Sequence, residues 1–168
     1  EAALVQPNGA VGHTAVATAT RWPNTYRVAY SSAPNRQYTG GSDNALVDGI
    51  SGDVEWRKGN WVGHKGVDLV VRVDLGSKQR VDRVSVGLLK DIGAWIAFPQ
   101  GVAVWASNAE VDPTTLASQD FETVSKSVRS AWSWSTDLRA TAKTDESPLT
   151  NTVTFDAPQP KKARFLYL

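Results

Sequence analysis

The chain has 168 residues, of which 41% are hydrophobic and 21% charged, and its 18 basic and 17 acidic side chains leave a formal charge of +1. A chain of that length forms one compact domain able to bury roughly 70% of its unfolded surface, and its balanced charge, without a basic run, provides no field for gathering nucleic acid. The absence of cysteine excludes a thiol nucleophile, a disulfide framework and a thiolate metal site, and no stretch approaches the ~20 apolar residues of a membrane-spanning helix.

In chain order, Thr and Val give residues 13–20 β propensity, and a first strand is expected there. Trp22, Tyr26, Tyr30, Arg36 and Tyr38 then form an aromatic-rich loop, in which stacking on a ligand and internal packing both stand open. Leu69, Val71, Val73 and Leu75 alternate with Val70, Arg72 and Asp74, which predicts a half-buried strand ended by Gly76-Ser77. Val84, Val86 and Leu88 predict a second strand. Val102, Val104 and Ala106 predict a third, reached through Pro99-Gln100-Gly101 and left at Ser107-Asn108. Residues 113–129 allow one or two helical turns, and the polar stretch 139–152 suits an exposed loop or hairpin. Val153 and Phe155 alternate, and Ala163, Phe165 and Tyr167 follow Pro158-Gln159-Pro160. Short strands parted by Gly, Pro and Asn, with little helix, predict an all-β, antiparallel jelly-roll β-sandwich occupying residues 1–168 as a single module.

An ordered series between 40 and 107 is more specific. Gly40-Gly41 leads to Ala45-Leu46-Val47-Asp48-Gly49-Ile50-Ser51-Gly52, Trp56 and Gly59-Asn60-Trp61-Val62-Gly63. Asp68 to Gly76, Val84 to Leu89, Trp95-Ile96-Ala97-Phe98-Pro99 and Val102-Ala103-Val104-Trp105-Ala106-Ser107 complete it. This series resembles the discoidin-like (coagulation factor 5/8 type C) modules grouped with carbohydrate-binding module family 32, in particular those appended to bacterial family 20 β-hexosaminidases and related glycosidases. The segment 163–168 resembles the family's closing strand, cut slightly short. With no methionine in the chain, the sequence reads as a piece of a longer, exported bacterial protein, secreted, periplasmic or at the cell surface.

The resemblance implies a galactose-binding-like sandwich without catalysis of its own, sugar binding by loops at one end and a structural calcium. For calcium it implies Asp48 as carboxylate ligand, Ala45 and Ile50 as carbonyl ligands and Asp53 as a side-chain donor. Hard cations do favour carboxylate and carbonyl oxygens on a tightly turning backbone; the plain alternative is that Asp48 caps a turn by accepting backbone N–H bonds.

For sugar, the seven tryptophans draw attention, because an indole pairs an apolar face for pyranose C–H groups with a hydrogen-bonding edge. Trp105 lies in a strand, where packing is expected, and Trp56 and Trp61 resemble framework positions. Trp95, preceded by Lys90 and Asp91, sits on a connection that the resemblance places at the variable, ligand-binding end. Trp132 and Trp134 are spaced by two, so both point the same way: inward they are core, on a loop tip they form a platform. His64, followed by Lys65, suits sugar hydroxyls or is a solvated loop residue, and Tyr38 and Arg36 complete the candidate contacts.

The leading expectation is a module that binds galactose- or N-acetylhexosamine-type glycans and holds a covalently linked glycoside hydrolase near its substrate, monomeric in isolation. The alternative is a structural sandwich packed on that catalytic domain. No nucleophile elbow, His-Glu-x-x-His, P-loop or dinucleotide fingerprint is present. The Ile92 and Ile96–Phe98 stretch could pass for a membrane-inserting spike, but its Pro99 exit fits a strand end better.

Overall fold

The computed structural model describes residues 25–138 and 148–168; the strand expected at 13–20, Trp22 and most of the polar stretch 139–152 lie outside them. Five strands, β1 (Arg27–Tyr30), β2 (Val71–Lys90), β3 (Gly101–Ser107), β4 (Trp132–Asp137) and β5 (Leu149–Tyr167), form an antiparallel sheet in the order β1-β2-β5-β3-β4. Helix is confined to one short α-helix, α1 (Phe121–Ser127), and four 3-10 turns among the described residues.

Two of the predicted interruptions are bends within continuous strands. β2 runs for 20 residues through Gly76-Ser77. The Gly76 backbone takes φ 78°, and its N–H donates to Asp74 Oδ1 at 2.8 Å. Pairing with β5 skips from Asp74↔Phe165 to Gln79↔Ala163, then shifts again between Val81 and Arg83. β5 runs for 19 residues, and its Pro158-Gln159-Pro160 falls where residues 157–160 face the single Asp82 of β2. Prolines lack the N–H that a ladder needs, so a bulge is where a strand tolerates them. β1 is an addition to the sequence expectation, which placed Tyr30 in a loop. Four residues at a sheet edge are too few to reveal a period of two.

The bends make the layers. Val71, Val73 and Leu75 before the bend and Val81 and Val84 after it share one apolar cluster with Ala106, Ala163 and Leu166. Both halves of β2 therefore line one interior, and the chain is the antiparallel all-β sandwich with little helix that the sequence predicts. The other face of the sheet carries Trp105, Phe165 and Tyr167, covered by Leu116, Val124 and Val128. Phe121, Val124 and Val128 recur at helical spacing, which turns one face of α1 inward. Asp120 Oδ1 caps this helix by accepting from the Thr123 N–H at 2.8 Å. Trp105 is packed as expected, its ring 5.0 Å from that of Phe121.

Two polar contacts secure the closing strand. Arg164 donates from Nε and Nη2 to Asp74 at 3.0 and 2.9 Å, a two-pronged pair that holds the Asp74 carboxyl below its usual range. Tyr167 is fully buried; its hydroxyl donates to the Ala109 carbonyl at 2.8 Å and accepts from the Val111 N–H at 2.7 Å. Tyr167→Phe leaves both backbone groups unpaired. We expect it to lower unfolding free energy by about 1–3 kcal/mol in urea titration, with no change in the slope that reports exposed area.

Candidate functional site

The site is built by two connections. Tyr30 pairs with Val71, so residues 31–70 leave and re-enter the sheet side by side. Trp61 carries this connection across to the second half of β2. A Cβ on Gly87 would approach its ring at 3.9 Å, and one on Gly52 would stand 2.3 Å from its Cε2. The two glycines thus form a slot for the indole, whose N–H donates to the Asp53 carbonyl at 2.8 Å. Residues 91–100 start four positions beyond Gly87, so Trp61 brings the first connection close to the start of the second.

Every large apolar side chain exposed among the described residues lies on one of these two connections or beside it. Leu46, Ile50, Val54 and Val67 belong to the first connection, Ile92 and Trp95 to the second, and Leu149 opens β5 opposite Lys90. Sequence reasoning passed over Leu46, Val54, Val67 and Leu149. The available signal was apolar residues in Gly- and Asp-rich stretches outside the alternating strands.

Trp95 is the extreme case, 96% exposed. It ends a 3-10 turn, Ile92–Ala94, with φ 60° and ψ 27°, and its N–H donates to the Ile92 carbonyl. Asp91 and Ile96 close the loop as an isolated bridge, Asp91 N–H to Ile96 carbonyl at 3.0 Å and Ile96 N–H to Asp91 carbonyl at 2.9 Å. A tight, self-bonded loop presents the whole indole to solvent.

The other sugar candidates are placed differently. Lys90 is buried at 3% exposure, so its side chain is not displayed beside Trp95. Asp91 turns a carboxylate oxygen onto the Ala94 N–H at 3.2 Å. Tyr38 is half-buried and meets the edge of Trp56 at 5.5 Å, and Arg57 covers the Trp56 ring at 4.3 Å. These contacts make Tyr38 and Trp56 part of the frame. Arg36 is exposed. Trp132 and Trp134 lie on β4 rather than a loop tip, pairing with Ala106 and Val104. Both are half-buried with rings 4.6 Å apart, and Trp132 packs on the interior cluster.

His64 is partly buried. Its Nδ1 shares a hydrogen bond with Ser32 Oγ at 3.3 Å, its ring lies 5.6 Å from that of Tyr30, and its Nε2 is buried without a partner. A hydroxyl beside an imidazole is the beginning of a nucleophile and base. Among the described residues no third group orients the ring, and burial holds its pKa below the ordinary value, against proton uptake.

The side chains proposed for calcium have partners within the protein. Asp48 Oδ1 accepts from the Ile50 N–H at 2.8 Å, the turn-capping role that was the plain alternative. Asp53 accepts from the Glu55 N–H at 2.7 Å and pairs with the Lys58 ammonium, which lowers its pKa. Ala45 lies in a 3-10 turn, Ile50 is 60% exposed, and among the described residues no three His, Cys, Asp or Glu side chains converge.

No protein-family model matches the chain, and no curated protein matches it. Its backbone is similar to a solved structure of a histidine mutant of the lectin-binding domain of lectinolysin complexed with Lewis b. The identity is 14% and the TM-score 0.47, over 89% of this chain and 84% of that one. At that distance the likeness assigns neither family nor ligand, and the fold rests on the strand pairing described above.

Two predictions follow from the site's electrostatics. Because burial depresses the His64 pKa, the unfolded chain binds more protons below the ordinary histidine value of about 6.5. Stability is therefore complete above that pH and declines as pH falls through it toward the folded value. Melting curves between pH 7.5 and 5 should show this decline, shallower in His64→Gln than in the parent. Chelation should leave the melting temperature within about 1 °C, whereas a calcium site filled a hundredfold above its Kd would contribute about 2.7 kcal/mol.

Proposed function

We propose that the chain is a non-catalytic glycan-binding module of an exported protein, and that Trp95 is its stacking platform. The observation that carries this reading is the 96% exposed indole held at the tip of a tight loop. Exposing an indole in water is unfavourable by its apolar area, so full display on a rigid support points to a partner with an apolar face. A pyranose ring has such a face, with hydroxyls at its rim that the exposed polar groups of the neighbouring loops can bond. The ordered motif series from Gly40 to Ser107 supports the same reading, and with it galactose- or N-acetylhexosamine-type sugars and attachment to a glycoside hydrolase. A single convex platform makes a shallow site; its use comes from keeping a linked catalytic domain close to substrate.

A second reading has its own observation. Among the described residues, seven large apolar side chains exposed on or beside the two connections also suit a face packed on a neighbouring domain, with no free sugar bound.

A glycan array on the isolated chain separates the two. Binding to terminal galactose or N-acetylhexosamine, weakened about tenfold or more by Trp95→Ala at unchanged melting temperature, is the result expected of a stacking contact. A blank array, or full binding by the variant, overturns the first reading.

A further inference from the structure

Among the described residues, Trp95 and Arg129 alone are non-glycine residues with positive φ, 60° and 50°. Side chains rarely adopt this left-handed conformation, because Cβ crowds the backbone, and residues that hold it are over-determined by their surroundings. Arg129 follows Val128, the C-cap of α1, where its N–H bonds the Lys126 carbonyl at 3.1 Å and a packed helix supplies the support. Trp95 has only a three-residue turn before it and a side chain in solvent. Something else holds it.

Asp91 is that support. Its carbonyl accepts from the Ala94 N–H at 3.0 Å and the Ile96 N–H at 2.9 Å, and its N–H donates to the Ile96 carbonyl at 3.0 Å. Any residue could make those main-chain bonds. The bond specific to this side chain runs from the Ala94 N–H to Asp91 Oδ1 at 3.2 Å, the capping role that favours Asp at the start of a helical turn. A Cβ on Gly93 would lie 3.4 Å from the same oxygen, so the carboxylate folds over the loop rather than out toward solvent. Ala94 and Ile96, the two residues flanking Trp95, are both tied to Asp91.

We infer that Asp91 is a positioning residue: it acts on glycan through Trp95, by locking the loop that displays the indole, and does not itself contact sugar. This inference rests on Trp95 being the stacking platform, and the binding gain is that of pre-organisation, since a loop already ordered loses less freedom when it binds. What matters is then an acceptor at Oδ1, not the charge.

The test compares the parent with Asp91→Asn, which keeps the acceptor, and Asp91→Ala, which does not, using immobilised galactose and N-acetylhexosamine as probes. The Trp95 indole N–H signal is assigned by its loss in Trp95→Phe. Nuclear relaxation should give order parameters near 0.85 for the 92–96 amides in the parent and Asp91→Asn, and below about 0.6 in Asp91→Ala. Affinity should fall about five- to tenfold in Asp91→Ala and stay within about twofold in Asp91→Asn. An equal loss in Asp91→Asn would mean direct contact by the charge and overturn the inference. So would a rigid loop with full affinity in Asp91→Ala. If no form binds glycan, the platform reading fails, and the relaxation data alone judge Asp91: loosening upholds its hold on the loop and rigidity refutes it.

Discussion

The pairing of β2 with β5 is the constraint on which the rest depends. Each strand is long enough to serve twice, and each must bend where the other does. The register shifts between Asp74 and Gln79 and between Val81 and Arg83 supply that bend. Near it, Arg164 grips Asp74 from the neighbouring strand. The Asp74 side chain is 17% exposed, so this fork contributes more than a solvent-facing pair would. Once the ladder folds over, Val73 and Val84 come to share one interior. A flat sheet would leave one of those faces in water.

The bend also decides where the loops meet. The 31–70 connection enters β2 at Val71 and reaches the second half of that strand at Gly87 through Trp61. Trp61 works there as a wedge, seated in the slot left by Gly52 and Gly87. Within the connection, Asn35 and Tyr38 bond to Gly63 through the main chain at 2.8 Å, and Asn44 Oδ1 accepts from the Val28 N–H on edge strand β1 at 3.1 Å. The exposed ion pairs nearby, Arg57 with Glu55 and Lys58 with Asp53, shape the surface more than they stabilise it. Order at this end thus comes from aromatic packing and main-chain bonds, a support stiff enough to hold apolar side chains in solvent.

Among the aromatic residues, environment separates roles that residue type leaves mixed. Trp61, Trp56 and Tyr38 pack on glycine or on each other, Trp105 and Trp132 join the apolar clusters, and Trp95 touches solvent over nearly all its surface. A fold of this kind supports many functions, so the functional reading depends on that one loop and not on the sandwich.

Sequence alone determined the strand-forming segments, because alternation in Val71 to Leu75, Val84 to Leu88 and Val102 to Ala106 reports a half-buried surface wherever the chain goes. It also showed the small share of helix and the inward packing of Trp105. Tertiary structure alone decided that Gly76 and Pro158-Gln159-Pro160 lie within long strands, since a bulge depends on the partner opposite it. Burial of Lys90, the pairing of Asp53 with Lys58 and the seating of Trp132 on β4 likewise needed neighbours distant in sequence. Trp95 divides between the two. Its place on a glycine-flanked connection was legible as a candidate platform. Its exposure was not, because whether an indole is covered depends on which other segments reach it, and that is settled only when the sheet has bent.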